Sequence, residues 1–196
     1  MGSELSELVL KTARESVEAK ERFFTRERAA LITGAAGLVV EAFKAGGKLM
    51  LAGNGGSAAD AQHLAAEFVN RFVIERPPLP ALALTTDTST LTSIGNDYSF
   101  DETFSKQVRA LGKDTDVLMA ISTSGTSPNV VKAVEVARSM GIRTIALTGK
   151  SGGKLASMAD VNLNVESRST ARIQEVHITA GHIICELVDH MLFHRV

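Results

Sequence analysis

Five short runs of Val, Ile, Leu and Ala constrain the fold of this 196-residue chain more than any other feature. Continuous apolar runs of this length are typical of strands buried on both faces of a parallel sheet. Helical patterns separate most of the runs, and this alternation predicts a doubly wound α/β sheet. The five predicted strands cover residues 48–52, 79–84, 117–122, 143–147 and 161–165.

Segments with apolar residues at three- and four-residue spacing predict six helices. They cover residues 3–26, 27–45, 57–72, 128–140, about 152–159 and 170–193. The first two helices carry more apolar positions, such as Leu5, Leu8 and Val9, than one sheet face requires. We therefore predict a single domain of residues 1–196, in which residues 1–45 are helices used in oligomerisation and residues 46–196 form the α/β core.

Composition narrows the class of partner and the compartment. The chain is 44% apolar and 22% charged with a net charge of −1, which excludes disordered and fibrous classes and gives no basic surface for nucleic acid or anionic membrane. The longest uncharged apolar stretch, residues 29–40, is shorter than the roughly 18 residues that a membrane span needs. The near-zero net charge favours a small-molecule partner. A single cysteine, Cys185, and an N-terminus without a secretory pattern indicate a cytoplasmic protein.

A glycine-rich loop, residues 53–57, follows the first predicted strand and precedes a helix. Backbone N–H groups and a helix N-terminus at the carboxyl end of a strand form an anion-binding site. The spacing Gly53-x-Gly55-x-x-Ala58 also fits the dinucleotide fingerprint, so a dinucleotide-binding oxidoreductase is an alternative. That alternative needs an acidic residue about 20 positions further on, whereas Asp87 lies 34 positions after Gly53.

A second loop, Ser122-Thr123-Ser124-Gly125-Thr126-Ser127, follows the third predicted strand, and Pro128 is placed to begin the next helix. Hydroxyl and amide donors without a neighbouring carboxylate suit a phosphate monoester, whose oxygens each accept several hydrogen bonds. A capped, serine-rich turn is the ordinary alternative for such a loop. Its position beside the first loop, where open α/β sheets bind ligands, favours the phosphate interpretation.

Four polar side chains on two predicted helices could carry chemistry. His63 and Glu67 are four residues apart and share a helix face, as do Gln174 and His182, which are eight residues apart. A glutamate and a histidine can move the protons of an aldose–ketose isomerisation through an enediol, whereas a surface ion pair explains most His–Glu pairs at this spacing. Histidine and carboxylate also ligate zinc, although glutamine is an unusual ligand. Asn54, Asn96 and Asp97, which we expect in loops, could hold substrate hydroxyls.

Motifs along the chain point to one family. The sequence contains GNGGSAADAQHLAAEF, SIGNDYSFDETFS, ISTSGTSPNVVKA, ALTGKSGGKLA and RIQEVHITAGHIICELVDH. With these segments it resembles the sugar isomerase (SIS) family over nearly its whole length. The resemblance implies a three-layer, flavodoxin-like sandwich with a five-stranded parallel sheet, and a homotetramer with active sites near subunit interfaces. It also implies conversion of sedoheptulose 7-phosphate to D-glycero-D-manno-heptose 7-phosphate, the first step of bacterial heptose synthesis for the cell envelope.

Where the motifs match those of the family, the resemblance implies roles for individual residues of this chain. The resemblance implies that Glu67 is the catalytic base and His182 the catalytic acid. It also implies one Zn²⁺ per subunit, held by His63, Glu67, Gln174 and His182. If Glu67 and His182 both bind zinc, neither is a free proton carrier, and the sequence leaves this open. The implied substrate contacts are Asn54, Gly55, Gly56, Glu67, Asn96, Asp97, Ser122, Thr123, Ser124, Ser127 and Gln174.

A non-catalytic relative within the same family is the main alternative. The chain also resembles this relative, which regulates the bacterial replication initiator protein, in NRFVIERPPLPALAL and KQVRALG. That regulator lacks the Glu and His that correspond to Glu67 and His182, whereas this chain has both. Because an adaptor has no use for an acid and a base that face one crevice, the pair favours an enzyme.

Overall fold

The computed structural model describes residues 2–193 and has a five-stranded, all-parallel sheet with the order β2-β1-β3-β4-β5. The α/β class and the five-stranded parallel sheet are confirmed. Met1 and residues 194–196, which the predicted domain includes, lie outside the described residues, and the domain boundaries stay a prediction. The strands are β1 (Leu49–Gly53), β2 (Ala81–Ala83), β3 (Val117–Ser122), β4 (Arg143–Gly149) and β5 (Val161–Val165).

Eight α-helices are described, together with a 3₁₀ turn at Phe100–Glu102. Across residues 2–193, no helix combines the length and the apolar character needed to cross a bilayer. The helices are α1 (Gly2–Phe23), α2 (Arg26–Lys44), α3 (Gly56–Val69), α4 (Thr88–Asp97), α5 (Thr103–Leu111), α6 (Pro128–Ser139), α7 (Gly153–Ala156) and α8 (Thr170–Phe193).

Two apolar clusters sandwich the sheet and produce three layers. Successive β1 residues alternate between them: Leu49 and Leu51 face α1, α2, α3 and α8, whereas Met50 and Ala52 face α5 and α6. This alternation follows from the two-residue period of a strand, and burial on both faces explains why the strands are continuously apolar. On α1, by contrast, Leu5, Leu8, Val9, Leu10 and Val17 are exposed.

The segment between β2 and β3 differs most from the sequence analysis, which predicted no helix there. Asn96 and Asp97 lie in the last turn of α4, so their predicted position in a loop is wrong. The segment TSTLTSIGND is rich in Thr and Ser, which have modest helix propensity. The helix forms because Asp87 caps it, accepting from the Thr90 N–H at 2.9 Å, and because Ile94 is buried.

Strand register brings the two predicted ligand-binding loops together. Gly53, at the end of β1, pairs with Ile121 near the end of β3. The loop after β1 and the loop after β3 therefore leave the same edge of the sheet from neighbouring strands. This is the edge at which open α/β sheets bind ligands.

Candidate active site

The loop after β1 is tightly built around glycine. Gly55 has a φ of 56°, a backbone conformation that glycine adopts without strain. A Cβ on Gly56 would collide with the Gln174 amide, so this predicted substrate contact on α8 lies directly against the start of α3. The structure thus joins Gly55, Gly56 and Gln174 at the N-terminus of α3.

The first loop is also joined to α6. The amide nitrogen of Asn54 donates to Asn129 Oδ1, and that of Asn129 donates to Asn54 Oδ1, both at 2.9 Å. Asn129 is only 1% exposed, and its Oδ1 also accepts from the Val130 N–H at 3.0 Å. The sequence analysis missed Asn129; its position directly after Pro128, in the first turn of a helix facing the loop, was the available signal.

Hydroxyl groups cluster at the N-terminus of α6. Ser122 Oγ lies 2.9 Å from Ser127 Oγ and 3.3 Å from Ser124 Oγ, which also accepts from the Thr126 N–H. Ser127 is the N-cap of α6, but its side chain makes no cap hydrogen bond. Hydroxyls that bond to one another beside a helix N-terminus can turn their hydrogens toward an anion. The predicted contacts Ser122, Ser124 and Ser127 are therefore together, with Thr123 between the first two in the same loop.

A second polar cluster lies between α3 and α8. His63 Nε2 is 2.8 Å from His182 Nε2 and 3.3 Å from Glu67 Oε1, so residues 119 positions apart in sequence meet. The ring of Phe72 stacks on His182 with centroids 5.4 Å apart. The structure thus brings three of the four predicted metal ligands together, including the predicted base and acid.

The surroundings of His182 in this cluster lower its pKa. Burial lowers the pKa of His182, the neighbouring His63 lowers it further, and the Glu67 carboxylate opposes both effects. His182 is therefore neutral at pH 7 and has one N–H to donate and one lone pair. Such an imidazole can donate a proton to a substrate oxygen and take one back.

Asp60 is a further carboxylate on the same face of α3, one turn before His63, and the sequence analysis did not select it. Burial raises the pKa of Asp60 to about 6, with His63 acting in the opposite direction. One of its carboxylate oxygens is buried without a hydrogen-bond partner. Its spacing of four residues from Gly56 and three from His63 was the signal that could have revealed it.

Asn96 and Asp97 form a hydrogen-bonded pair of their own at the end of α4. The Asn96 amide donates to Asp97 Oδ1 at 2.8 Å, and both side chains are exposed at the end of α4. Among residues 2–193, no described hydrogen bond links either side chain to α3, α6 or α8. Their role in substrate binding stays a prediction.

The donors of the α3–α8 cluster fit zinc in their chemistry. Two imidazole nitrogens and a carboxylate oxygen form a common catalytic zinc set. In the part of the chain that the structure describes, no three His, Cys, Asp or Glu side chains are already spaced as metal ligands. Tetrahedral zinc ligands lie about 3.3 Å apart, so His63 and His182 would need to separate by roughly half an ångström. Both rings are at least partly exposed and can rotate.

Gln174, the fourth predicted ligand, lies elsewhere along α8. It is eight residues before His182, a rise of about 12 Å along the helix axis. Its amide contacts Gly56, whereas His182 contacts His63, seven residues further along α3. Within one chain, Gln174 therefore lies with the glycine-rich loop.

Comparison with known proteins gives a consistent result. The SIS domain family matches residues 14–149. A protein named phosphoheptose isomerase from Nitratidesulfovibrio vulgaris strain Hildenborough is 54% identical over 196 residues, covering 100% of this chain and 94% of the relative. The solved phosphoheptose isomerase structure from Neisseria gonorrhoeae has a TM-score of 0.87 at 49% identity, covering 94% of this chain and 99% of that one. The solved structure of a phosphoheptose isomerase from Francisella tularensis has a TM-score of 0.90 at 41% identity, covering 94% of this chain and 97% of that one.

Proposed function

Because the chain belongs to the SIS domain family, we propose that it converts sedoheptulose 7-phosphate to D-glycero-D-manno-heptose 7-phosphate. It is a sugar-phosphate isomerase, an enzyme of the aldose–ketose type. The observation that carries the proposal is the meeting of Glu67 and His182 around His63, because this reaction needs a base and an acid at adjacent atoms. The product would supply heptose for envelope polymers such as lipopolysaccharide.

The proposed chemistry moves protons between the first two carbons of the sugar. The Glu67 carboxylate removes a proton from C1 of the ketose while His182 donates a proton to the C2 carbonyl oxygen, which yields an enediol. Glu67 then returns its proton to C2, and His182 takes the proton from the C1 hydroxyl as the C1 carbonyl forms. Both side chains end in their starting state, and no external oxidant is required.

Phosphate binding is proposed at the loops after β1 and β3. The support is the cluster of Ser122, Ser124 and Ser127 hydroxyls at the α6 N-terminus and the neighbouring N-terminus of α3. His63 lies seven residues into α3, a rise of about 10 Å from Gly56. A sugar of seven carbons with its phosphate at the far end can span this distance, so the loops and the acid–base cluster can act on one substrate.

Zinc is proposed as the cofactor. His63, Glu67 and His182 would hold it in the resting enzyme, and the substrate would displace the side chains that carry protons, whereas Gln174, the fourth predicted ligand, lies with the glycine-rich loop of the same chain. A bound zinc ion supplies Lewis acidity that polarises a carbonyl oxygen. Elemental analysis of untagged protein tests the cofactor independently of turnover: we expect about one zinc per subunit, and full activity without stoichiometric zinc would reject a required metal.

A cytoplasmic homotetramer is proposed as the working form. Its support is the row of exposed apolar side chains on α1, which includes Leu5, Leu8 and Val9. Exposed apolar patches of this kind are typical of protein interfaces. Cys185, buried and free, fits a reducing compartment.

The deciding experiment is an NMR assay of purified protein with sedoheptulose 7-phosphate, with and without added zinc. Glu67→Gln keeps the shape of the side chain but cannot take a proton, so we expect turnover to vanish while sugar-phosphate binding stays near wild type. Glu135→Gln, a surface variant on α6 that loses only an ion pair with Lys154, is the matched control and should retain activity. Saturable binding without conversion in the wild type would refute the isomerase and favour the non-catalytic regulator.

A further inference from the structure

A buried ion pair lies behind the α3–α8 cluster and has no part in the chemistry above. Arg76, between α3 and β2, places Nε 2.8 Å from Asp189 Oδ1 on α8. The two side chains are only 1% and 5% exposed. Removing both charges from water is costly, so such a pair is a weak source of stability but can fix one arrangement of the elements it joins.

Arg76 also caps the end of α3. Its Nη2 donates to the Glu67 carbonyl at 2.9 Å, and its Nη1 donates to the Phe68 carbonyl at 2.7 Å. The last carbonyls of a helix lack partners within the helix, and a cation there also interacts favourably with the helix dipole. The guanidinium therefore binds the backbone of the residue that we propose as the base.

Asp189, the acidic member of the ion pair, lies on α8, the helix that also carries the proposed acid His182. Asp189 is seven residues after His182 on α8, which places both on the same face, about two turns apart. The Glu67 backbone, the guanidinium and the Asp189 carboxylate thus form a continuous link from α3 to α8. A planar fork of N–H donors can make all these contacts at once, whereas a lysine cannot.

We propose that Arg76 and Asp189 are positioning residues that hold the Glu67 end of α3 against α8 and thereby set the geometry of Glu67 and His182. The inference rests on the proposed function, because it concerns the acid and base of that reaction. Small displacements matter for such groups, since an error of about 1 Å can cost 100-fold in rate.

The test compares kcat and KM for Asp189→Asn and Arg76→Lys in the NMR assay with sedoheptulose 7-phosphate, below the melting temperature of each variant. We expect kcat to fall by about 10- to 100-fold while KM stays within about twofold, because the hydroxyl loop after β3 is a separate element. Calorimetric titration with the same sugar phosphate counts folded sites, and the number per subunit should equal that of the wild type. A merely structural role would lower the number of sites and leave kcat per site unchanged.

Asp116→Asn is the matched control, because Asp116 is another buried carboxylate with a cationic partner. It accepts from Lys48 Nζ at 2.6 Å and from the Lys48 and Lys113 N–H groups, at the amino ends of β1 and β3. This is the end of the sheet opposite the candidate site. The control should lose thermal stability and keep wild-type kcat per site.

Three outcomes would overturn the inference. In the first, Asp189→Asn and Arg76→Lys keep wild-type kcat per site. In the second, the Asp116→Asn control loses as much kcat as they do. In the third, neither variant folds, which would assign the pair to stability alone. A wild-type protein that fails to convert the sugar phosphate refutes the proposed function instead, so the two failures are distinguishable.

Discussion

Replacing Asn129 with alanine tests how strongly the loop after β1 depends on α6. The change removes four hydrogen bonds: the reciprocal pair with Asn54 at 2.9 Å, the bond from the Val130 N–H at 3.0 Å, and a long bond to Thr103 Oγ1 at 3.5 Å. Each contributes about 1 kcal/mol net. Because Asn54 is half-buried and can regain water, we expect the free energy of unfolding to fall by about 2–3 kcal/mol. The melting temperature should fall by roughly 5–10 °C.

A double-mutant cycle separates the Asn54–Asn129 contact from other effects of truncation. Asn54→Ala, Asn129→Ala and the double variant are compared by calorimetric melting and by urea unfolding. Two shared hydrogen bonds should give a coupling energy of about 1–2 kcal/mol. Effects that add to within about 0.5 kcal/mol would refute the argument that this amide pair holds the two loops together. Both single variants should also raise KM for the sugar phosphate.

Three further predictions follow from the same structure. Ser124→Ala should weaken sugar-phosphate binding by about 1–3 kcal/mol in calorimetric titration, and unchanged affinity would place the phosphate elsewhere. Burial lowers the pKa of His177 from 6.5 to about 4, against a hydrogen bond to the Thr148 carbonyl, so the unfolded chain binds a proton that the folded chain does not. The free energy of unfolding should therefore fall by up to about 3 kcal/mol as the pH drops from about 6.5 to about 4. Urea unfolding at pH 7 and pH 4.5 measures this fall, and an equally large fall in His177→Gln would contradict the assignment to His177. Light scattering after size-exclusion chromatography should give a tetramer that Leu8→Glu dissociates, whereas a wild-type monomer at micromolar concentration would contradict the homotetramer.

The sequence predicted the strands better than the segment between β2 and β3. The bounds of β3 and β5 match the prediction residue for residue, because apolar runs buried on both faces have clear ends. At the edge of the sheet, β2 is limited to Ala81–Ala83, with Pro80 before it unable to donate to the ladder. Helix α4 was missed because its Thr- and Ser-rich sequence depends on a cap and on tertiary packing rather than on propensity.

The sequence predicted which candidate site residues share a helix face, but it did not predict which residues of other elements they contact. The i, i+4 spacing put His63 and Glu67 on one face, whereas the meeting of His63 with His182 depends on how α3 packs against α8. Asn129 bonds to Asn54, 75 positions away in sequence, and Arg76 bonds to Asp189, 113 positions away. Local sequence patterns do not indicate which distant residue a side chain will contact, so these partners were identified only from the folded structure.

The hydroxyl loop after β3 is not an independent unit, because Gly125 packs against the turn that precedes α7. A Cβ on Gly125 would collide with the Gly152 carbonyl oxygen, and the Leu155 N–H donates to the Gly125 carbonyl at 3.0 Å. A Cβ on Gly153 would likewise lie 2.6 Å from the Gly125 carbonyl oxygen, and Gly125, Gly152 and Gly153 all have positive φ, a conformation that strains a side chain. A directed-evolution library aimed at new sugar phosphates must therefore vary the two turns jointly, since a change in one that alters its path will reshape the other.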